Sequence, residues 1–281
     1  MTDNREKNLK SIVNASGFVF QLSIMDNIQR TIEKHGWEIL VSEHPWCNHS
    51  NGDEGYIDIV LKKNRDRLVI ECKRTKDASW VFINPNDKHD RVNLVRSLWS
   101  LSSKISNEQM PSEPAYKINS GWYNFSVKPE SPESSFCSIR GSGEKDKPFL
   151  ERICGQLLKA VDCLLVEEME IEEKKRKIIN FPSIYIPAIV TNAELKLCHF
   201  DPKSVSLSDG RLKDADFKTV PFLRFRKSLT TVLSPSASPA NINEANIDKQ
   251  RTILIINSEY LCEVLENIEL IKPDVWPWER F

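Results

Sequence analysis

From Phe18 to Lys34 the apolar residues Phe18, Leu22, Met25, Ile28 and Ile32 recur at spacings of three and four, which predicts an amphipathic helix. Gly36, directly after the stripe, is placed to cap its C-terminus. Trp37 to Val41 then reads as a strand, and the following SEHPWCNHSNGDEG as turn chemistry. Next come two short runs rich in Ile, Val and Leu, Tyr56 to Leu61 and Leu68 to Cys72, separated by KKNRDR. Together they predict a β-hairpin.

Trp80 to Ile83 reads as one more strand, after which residues 84–147 lose periodicity and collect Pro, Ser, Gly and Asn. This stretch is expected to be a long irregular insertion holding a short helix near Val92 to Ile105. Phe149 to Glu168 carries Leu150, Ile153, Leu157, Leu158, Val161, Leu164 and Leu165 at helical spacing, and EEMEIEEKKRK extends that helix outward. Strand character returns at Ile184 to Val190, Leu195 to Phe200, Val220 to Phe225 and Thr252 to Ile256. A closing helix is expected from Ser258 to about Ile268, and SPSASPANINEANID as an exposed flexible loop. The alternation of helices and strands implies an α/β fold. Residues 1–180 would form its core, with the insertion at about 84–147, and residues 181–281 a β-rich extension of the same domain.

The hairpin is where chemistry concentrates. A turn centred between Asn64 and Arg65 pairs Ile59 with Ile70 and Leu61 with Leu68, and places Asp58 opposite Glu71 and Tyr56 opposite Lys73. Partners directly across an antiparallel pair share a face, so Asp58, Glu71 and Lys73 would project together, the two acids with Cβ atoms on the order of 5 Å apart. Ile57, Ile59, Leu61, Leu68, Ile70 and Cys72 would fill the other face. A one-residue slip would expose all six, so the apolar pattern supports the register that assembles the acids. Carboxylates this close repel unless a cation lies between them. Mg²⁺, a hard ion that takes oxygen ligands, is the natural occupant, with Mn²⁺ as a substitute and the Cys72 main-chain carbonyl as a third protein ligand. Such a metal acidifies water and neutralises charge on a phosphate, and Lys73 could orient that water or assist its deprotonation.

Composition leaves this reading open and removes others. The chain has 281 residues, 40% hydrophobic and 28% charged, the profile of an ordinary globular protein. The polar start MTDNREKNLK and the lack of an apolar run of about 18 residues give no expectation of a signal peptide or membrane span. Seven scattered cysteines without a CxxC pair suggest neither a disulfide framework nor a zinc ribbon, and fit a reducing cytoplasm. A formal net charge of −1 argues against indiscriminate coating of nucleic acid. Any such contact must be local, and the cations Lys62, Lys63, Arg65, Arg67, Lys73, Arg74 and Lys76 cluster around the hairpin. Arg74 and Lys76, just past the second strand, are the expected nucleic-acid contacts, while Arg65 and Arg67 fit a phosphate grip or a solvated hairpin tip equally well.

Asp58 in GYIDIVL followed by LVIECKR resembles the PD-(D/E)XK superfamily, which includes many restriction endonucleases and repair nucleases. The resemblance covers about residues 17–76. It implies a restriction-endonuclease-like α-β-β-β-α-β core with a mixed sheet flanked by helices, Asp58 and Glu71 as metal ligands, and Lys73 as the catalytic lysine. Ile57 stands where the family's eponymous proline would be. Many members carry a glutamate on the first helix, where GFVFQ offers Gln21. Some carry QxxxY on the later helix, where this chain has Gln156 and Ala160. Gln21, Glu43 and Gln156 are therefore accessory candidates.

Short ExK strings also occur at Glu172, Glu173 and Glu194, but only Glu71 combines an apolar strand with an acid aligned across a hairpin. His44, Cys47 and His49 lack a fourth ligand at a recognisable spacing and read as incidental loop residues. The expected activity is Mg²⁺-dependent hydrolysis of phosphodiester bonds, in DNA by analogy with the superfamily, in defence or repair, by a homodimer or with a protein partner. The rival is a non-catalytic nuclease-like module that binds nucleic acid or a partner protein.

Overall fold

Gly36 adopts a left-handed φ of 69° and its N–H reaches back to Ile32, ending the apolar helical stripe where the pattern places its end. The helical stretch is α2 (Phe18–Arg30) followed by one short turn, α3 (Ile32–His35), and is preceded by α1 (Thr2–Ala15); its buried positions are Gln21, Ile24 and Ile28, whereas Phe18 and Leu22 of the expected stripe are exposed. The computed structural model describes residues 2–49, 51–75, 79–85, 91–105, 115–139, 149–175, 179–228 and 241–271.

After α3 come β1 (Glu38–Asn48), β2 (Asp53–Lys63) and β3 (Asp66–Lys73), an antiparallel meander, then β4 (Ser79–Asn84). The long hairpin of β5 (Val92–Ile105) and β6 (Ala115–Ser131) follows, with the short β7 (Glu133–Ser134) and β8 (Phe136–Ile139). The long α4 (Phe149–Lys175) then leads into β9 (Ile179–Thr191), which lies parallel to β3. The remainder is β10 (Glu194–His199), β11 (Asp216–Thr219), β12 (Phe222–Ser228), α5 (Ile242–Lys249), β13 (Gln250–Asn257), α6 (Leu261–Asn267) and β14 (Glu269–Ile271).

The chain is thus α/β, with a mixed central sheet flanked by helices. That sheet runs β1-β2-β3-β9-β13-β12-β7, with β5 joining β9, β6 joining β5 and β14 joining β6. A second sheet runs β11-β10-β4-β8. Alternation along β2 and β3 divides the core in two. Val60 and Val69 pack with Ile153, Leu157, Leu158 and Val161 of α4 and with Trp80 and Leu195 of the second sheet. Ile59 and Ile70 pack on the other side with Ile24 and Ile28 of α2 and Leu261 and Leu265 of α6. Among the described residues no helix is long and apolar enough to cross a membrane, and all seven cysteines are free.

Three expectations fail. Val92 to Ile105 is a strand, not a helix. Val95, Trp99 and Leu101 enter one core cluster and Leu98 the other, so a strand buried on both faces imitates helical spacing. With β6, β7 and β8 it makes the described parts of the 84–147 insertion regular sheet; the rest of that insertion lies outside the described residues. SEHPWCN continues β1, which lies at the end of the main sheet path. There Pro45, lacking an N–H, is tolerated opposite Tyr56. Of the expected flexible loop, residues 234–240 lie outside the described residues and the rest enters α5, which Asn241 caps by accepting the Glu244 N–H at 3.0 Å while its Nδ2 donates to the Glu244 carboxylate at 3.2 Å.

Candidate active site

The hairpin register is the one the apolar pattern requires: Ile59 pairs with Ile70, Val60 with Val69, Leu61 with Leu68, Lys62 with Arg67 and Lys63 with Asp66. The ladder stops there. Asp58 does not continue it toward Glu71; instead Asp58 Oδ2 accepts the Cys72 main-chain N–H at 2.6 Å. Across the other edge Glu43 lies between the pairs Ser42–Ile59 and His44–Ile57, with a left-handed φ of 51°. Such a φ is strained for a non-glycine residue and recurs at functional sites. The same kink moves Ile57 to the α4 side, with Val60 and Val69, while Ile59 stays on the α2 side. The expectation that Ile57 and Ile59 share a face is therefore wrong, the change falling where the β2–β3 ladder stops at Ile59 and Glu43 takes its left-handed φ.

The kink leaves the acids near each other but opening to different clefts. Asp58 and Lys73 line a cleft of about 490 Å³ walled by Ala15, Ser16, Gly17, Phe18 and Gln21, with Arg74 and Thr75 at the end of β3. Glu71 opens on the α4 side, in a smaller crevice of about 130 Å³ with Gln156 and Ala160. Lys73 joins the two, since its Nζ is ion-paired with Glu71 while the residue also lines the Asp58 cleft.

The accessory candidates are drawn in unequally. Gln21 is buried and donates from Nε2 both to the Glu43 carboxylate and to the Asp58 carbonyl at 3.1 Å. Glu43 is thereby tied beside Asp58, on the helix side where the resemblance called for an acid. Gln156 borders the Glu71 crevice. Arg74 is exposed at the mouth of the larger cleft, and Lys76 lies outside the described residues.

Within the site, electrostatics set Asp58 apart. Burial, and next the Glu71 charge, push its carboxyl up from 3.8 to about 7, against the opposing pull of the Cys72 N–H and Lys73, with Glu43 adding to the rise. A carboxyl near neutrality beside a second carboxylate is a common mark of a site built for a cation or a proton. Among the described residues, however, no group of three or more His, Cys, Asp or Glu side chains is arranged to hold a metal ion.

No protein-family model matches the chain, and no curated protein or solved structure is significantly similar to it. The remaining hairpin cations have structural employment. Arg65 donates to Glu172 and to Ser183, both at 2.9 Å, and Arg67 donates to Glu168 at 2.8 Å, while Glu168 also accepts from the buried Tyr185 hydroxyl. These part-buried pairs fasten the hairpin tip to α4 and β9, so neither arginine sits on a purely solvated hairpin tip, and Glu172 is not on a purely solvated face. His44 pairs with Glu167 at 2.7 Å. The wall formed by Ser16, Gly17 and Phe18 was missed from sequence, because a helix junction carries no site signature.

Proposed function

We propose that this chain is a metal-dependent nuclease of the PD-(D/E)XK type. The observation that carries the reading is the seat of Asp58: its carboxylate is held on the Cys72 N–H, between Glu71 and Lys73, and raised toward neutrality by burial and the Glu71 charge. The order helix, three antiparallel strands, helix and a strand parallel to the third, found in α2, β1, β2, β3, α4 and β9, supports a restriction-endonuclease-like core.

The donors are oxygens of the kind a hard divalent cation takes, and because Asp58 and Glu71 open to different clefts as they stand, Glu71 would have to turn toward Asp58 to share an ion with it. Two carboxylates that destabilise each other's charge would be relieved by one. In an extended strand the N–H and C=O of a residue point to the same edge, so the Cys72 carbonyl shares the edge at which Asp58 sits. Asp58, Glu71 and the Cys72 carbonyl would hold Mg²⁺ or Mn²⁺, with water filling the rest of the shell. Once bound, such an ion acidifies water and neutralises phosphate charge. Lys73, ion-paired with Glu71, would orient the attacking water and take part in its deprotonation. Gln21 would fix Glu43 and the Asp58 backbone, holding the kink in place. DNA is the substrate proposed, in defence or repair.

Among the described residues no three His, Cys, Asp or Glu side chains gather into a metal-holding group, which favours the non-catalytic module as the second reading. Supercoiled plasmid incubated with the protein separates the two. The nuclease reading predicts nicked or linear product with Mg²⁺ or Mn²⁺ and none with EDTA, whereas binding without a metal-dependent product supports the module.

A further inference from the structure

The first helix is turned the wrong way for an ordinary amphipathic helix. Its apolar residues Leu9, Ile12 and Val13 are 55%, 61% and 54% exposed. Its opposite face, with Lys7, Lys10, Ser11 and Asn14, lines a trough of about 410 Å³ against Arg74, at the end of β3. Burial of apolar surface would favour the reverse orientation. The turn at Ser16–Gly17, where Gly17 takes a left-handed φ of 83° open only to residues without a Cβ cost, sets α1 across the strand ends.

That trough shares Ala15 and Arg74 with the cleft holding Asp58 and Lys73, so the two lie side by side with Arg74 at their common border. Its described lining outside the acid site carries Lys7, Lys10 and Arg74 and no carboxylate. Positions 7, 10 or 11, and 14 recur about once per turn, ~5.4 Å along the helix axis. A row of cations and small polar groups at that spacing suits a polyanion laid along the helix, not a single ion. The helix itself carries Asp3 and Glu6 beside Arg5, Lys7 and Lys10, so the positive charge belongs to the face that lines the trough and not to the helix as a whole.

We propose that the inner face of α1, with Lys7, Lys10 and Asn14, together with Arg74 is the binding track for the phosphodiester backbone flanking the reacting phosphate. The inference deepens the nuclease reading by naming how the substrate strand is held beside that site. Lys7 and Lys10 supply sequence-independent charge contacts, Ser11 and Asn14 supply hydrogen bonds to phosphate oxygens, and Arg74 stands where the track meets the acid cluster. Single strands and duplexes present the same backbone, so the chemistry alone does not choose between them.

Fluorescence anisotropy of labelled single-stranded and duplex oligonucleotides in EDTA tests the track without cleavage. Lys7→Gln with Lys10→Gln, on exposed positions of α1, is expected to weaken binding about tenfold and to lower the log–log salt slope by about 1.4 for a single strand or 1.8 for a duplex, two phosphate contacts' worth. Lys203→Gln with Lys213→Gln, exposed lysines elsewhere in the chain, is expected to leave both unchanged. The strand form whose slope falls is the one the track holds. Unaltered affinity and slope in the α1 variant, equal losses in both variants, or a wild type that binds neither form would overturn the track. Wild type that binds through α1 but cuts nothing would overturn the nuclease reading alone; wild type that cuts while the α1 variant binds normally would overturn the track alone.

Discussion

Replacing Lys73 with alanine is expected to slow strand cleavage by about a hundredfold to ten-thousandfold, the range for loss of a positioned proton-transfer group. Mg²⁺ affinity should change little, because the amine is not among the oxygen donors. The expectation rests on where Lys73 lies: its Nζ is ion-paired with Glu71, and the residue lines the cleft that holds Asp58. Lys73→Arg separates two roles. A guanidinium keeps the charge beside Glu71 but does not release its proton at working pH. If Lys73 handles a proton, arginine fails to rescue; if it only holds Glu71 in place, arginine restores most of the rate. Single-turnover cleavage of plasmid measures both, and an alanine variant as fast as wild type removes Lys73 from the mechanism.

Asp58→Asn is expected to abolish cleavage and yet stabilise the metal-free protein. The side-chain oxygen can still accept the Cys72 N–H, while a half-buried carboxyl facing Glu71 is gone. The pH dependence follows from the direction of the shift. The carboxyl ordinarily titrates at 3.8 and in the fold at about 7, so the folded chain holds this proton more tightly than the unfolded chain. Its contribution is full below about pH 4, declines as pH rises, and is lost by about pH 7. The asparagine variant has no such decline, so its advantage in thermal midpoint should be near zero at pH 4 and level off above pH 7. The plateau is expected at about 5 °C, corresponding to ~1–2 kcal/mol once partial exposure and sharing with Glu71 are allowed for. Asp162, pushed up to about 7 by burial, contributes with the same sign, so the difference between variant and wild type isolates Asp58. A variant less stable than wild type at pH 8 would refute the electrostatic account.

The hairpin was legible because its pattern is doubly constrained. Ile59, Leu61, Leu68 and Ile70 must share one core and Val60 and Val69 the other, and one register satisfies both. The long apolar stripe of α4 was legible for a similar reason. What escaped were features with no period of their own. The kink at Asp58 and Glu43 depends on three adjacent strands and Gln21, residues far apart in sequence, and alternation at Ile57 gives no warning of it. Val92 to Ile105 misled because burial on both faces erases the period of two. For α5 the N-x-x-E pattern at Asn241 and Glu244 was the available signal, in a segment with little apolar content to reinforce it. The orientation of α1 has no signature at all, since its pattern predicts the opposite face inward.

The claim that Asp58 and Glu71 form a divalent-cation site is tested most directly by calorimetric titration of Mn²⁺ into wild type, Asp58→Asn and Glu71→Gln at pH 8. Binding to wild type, weakened at least about tenfold in each variant as expected for loss of a charged ligand, is the result predicted here. Equal affinity in all three proteins, or no binding to wild type, would contradict it.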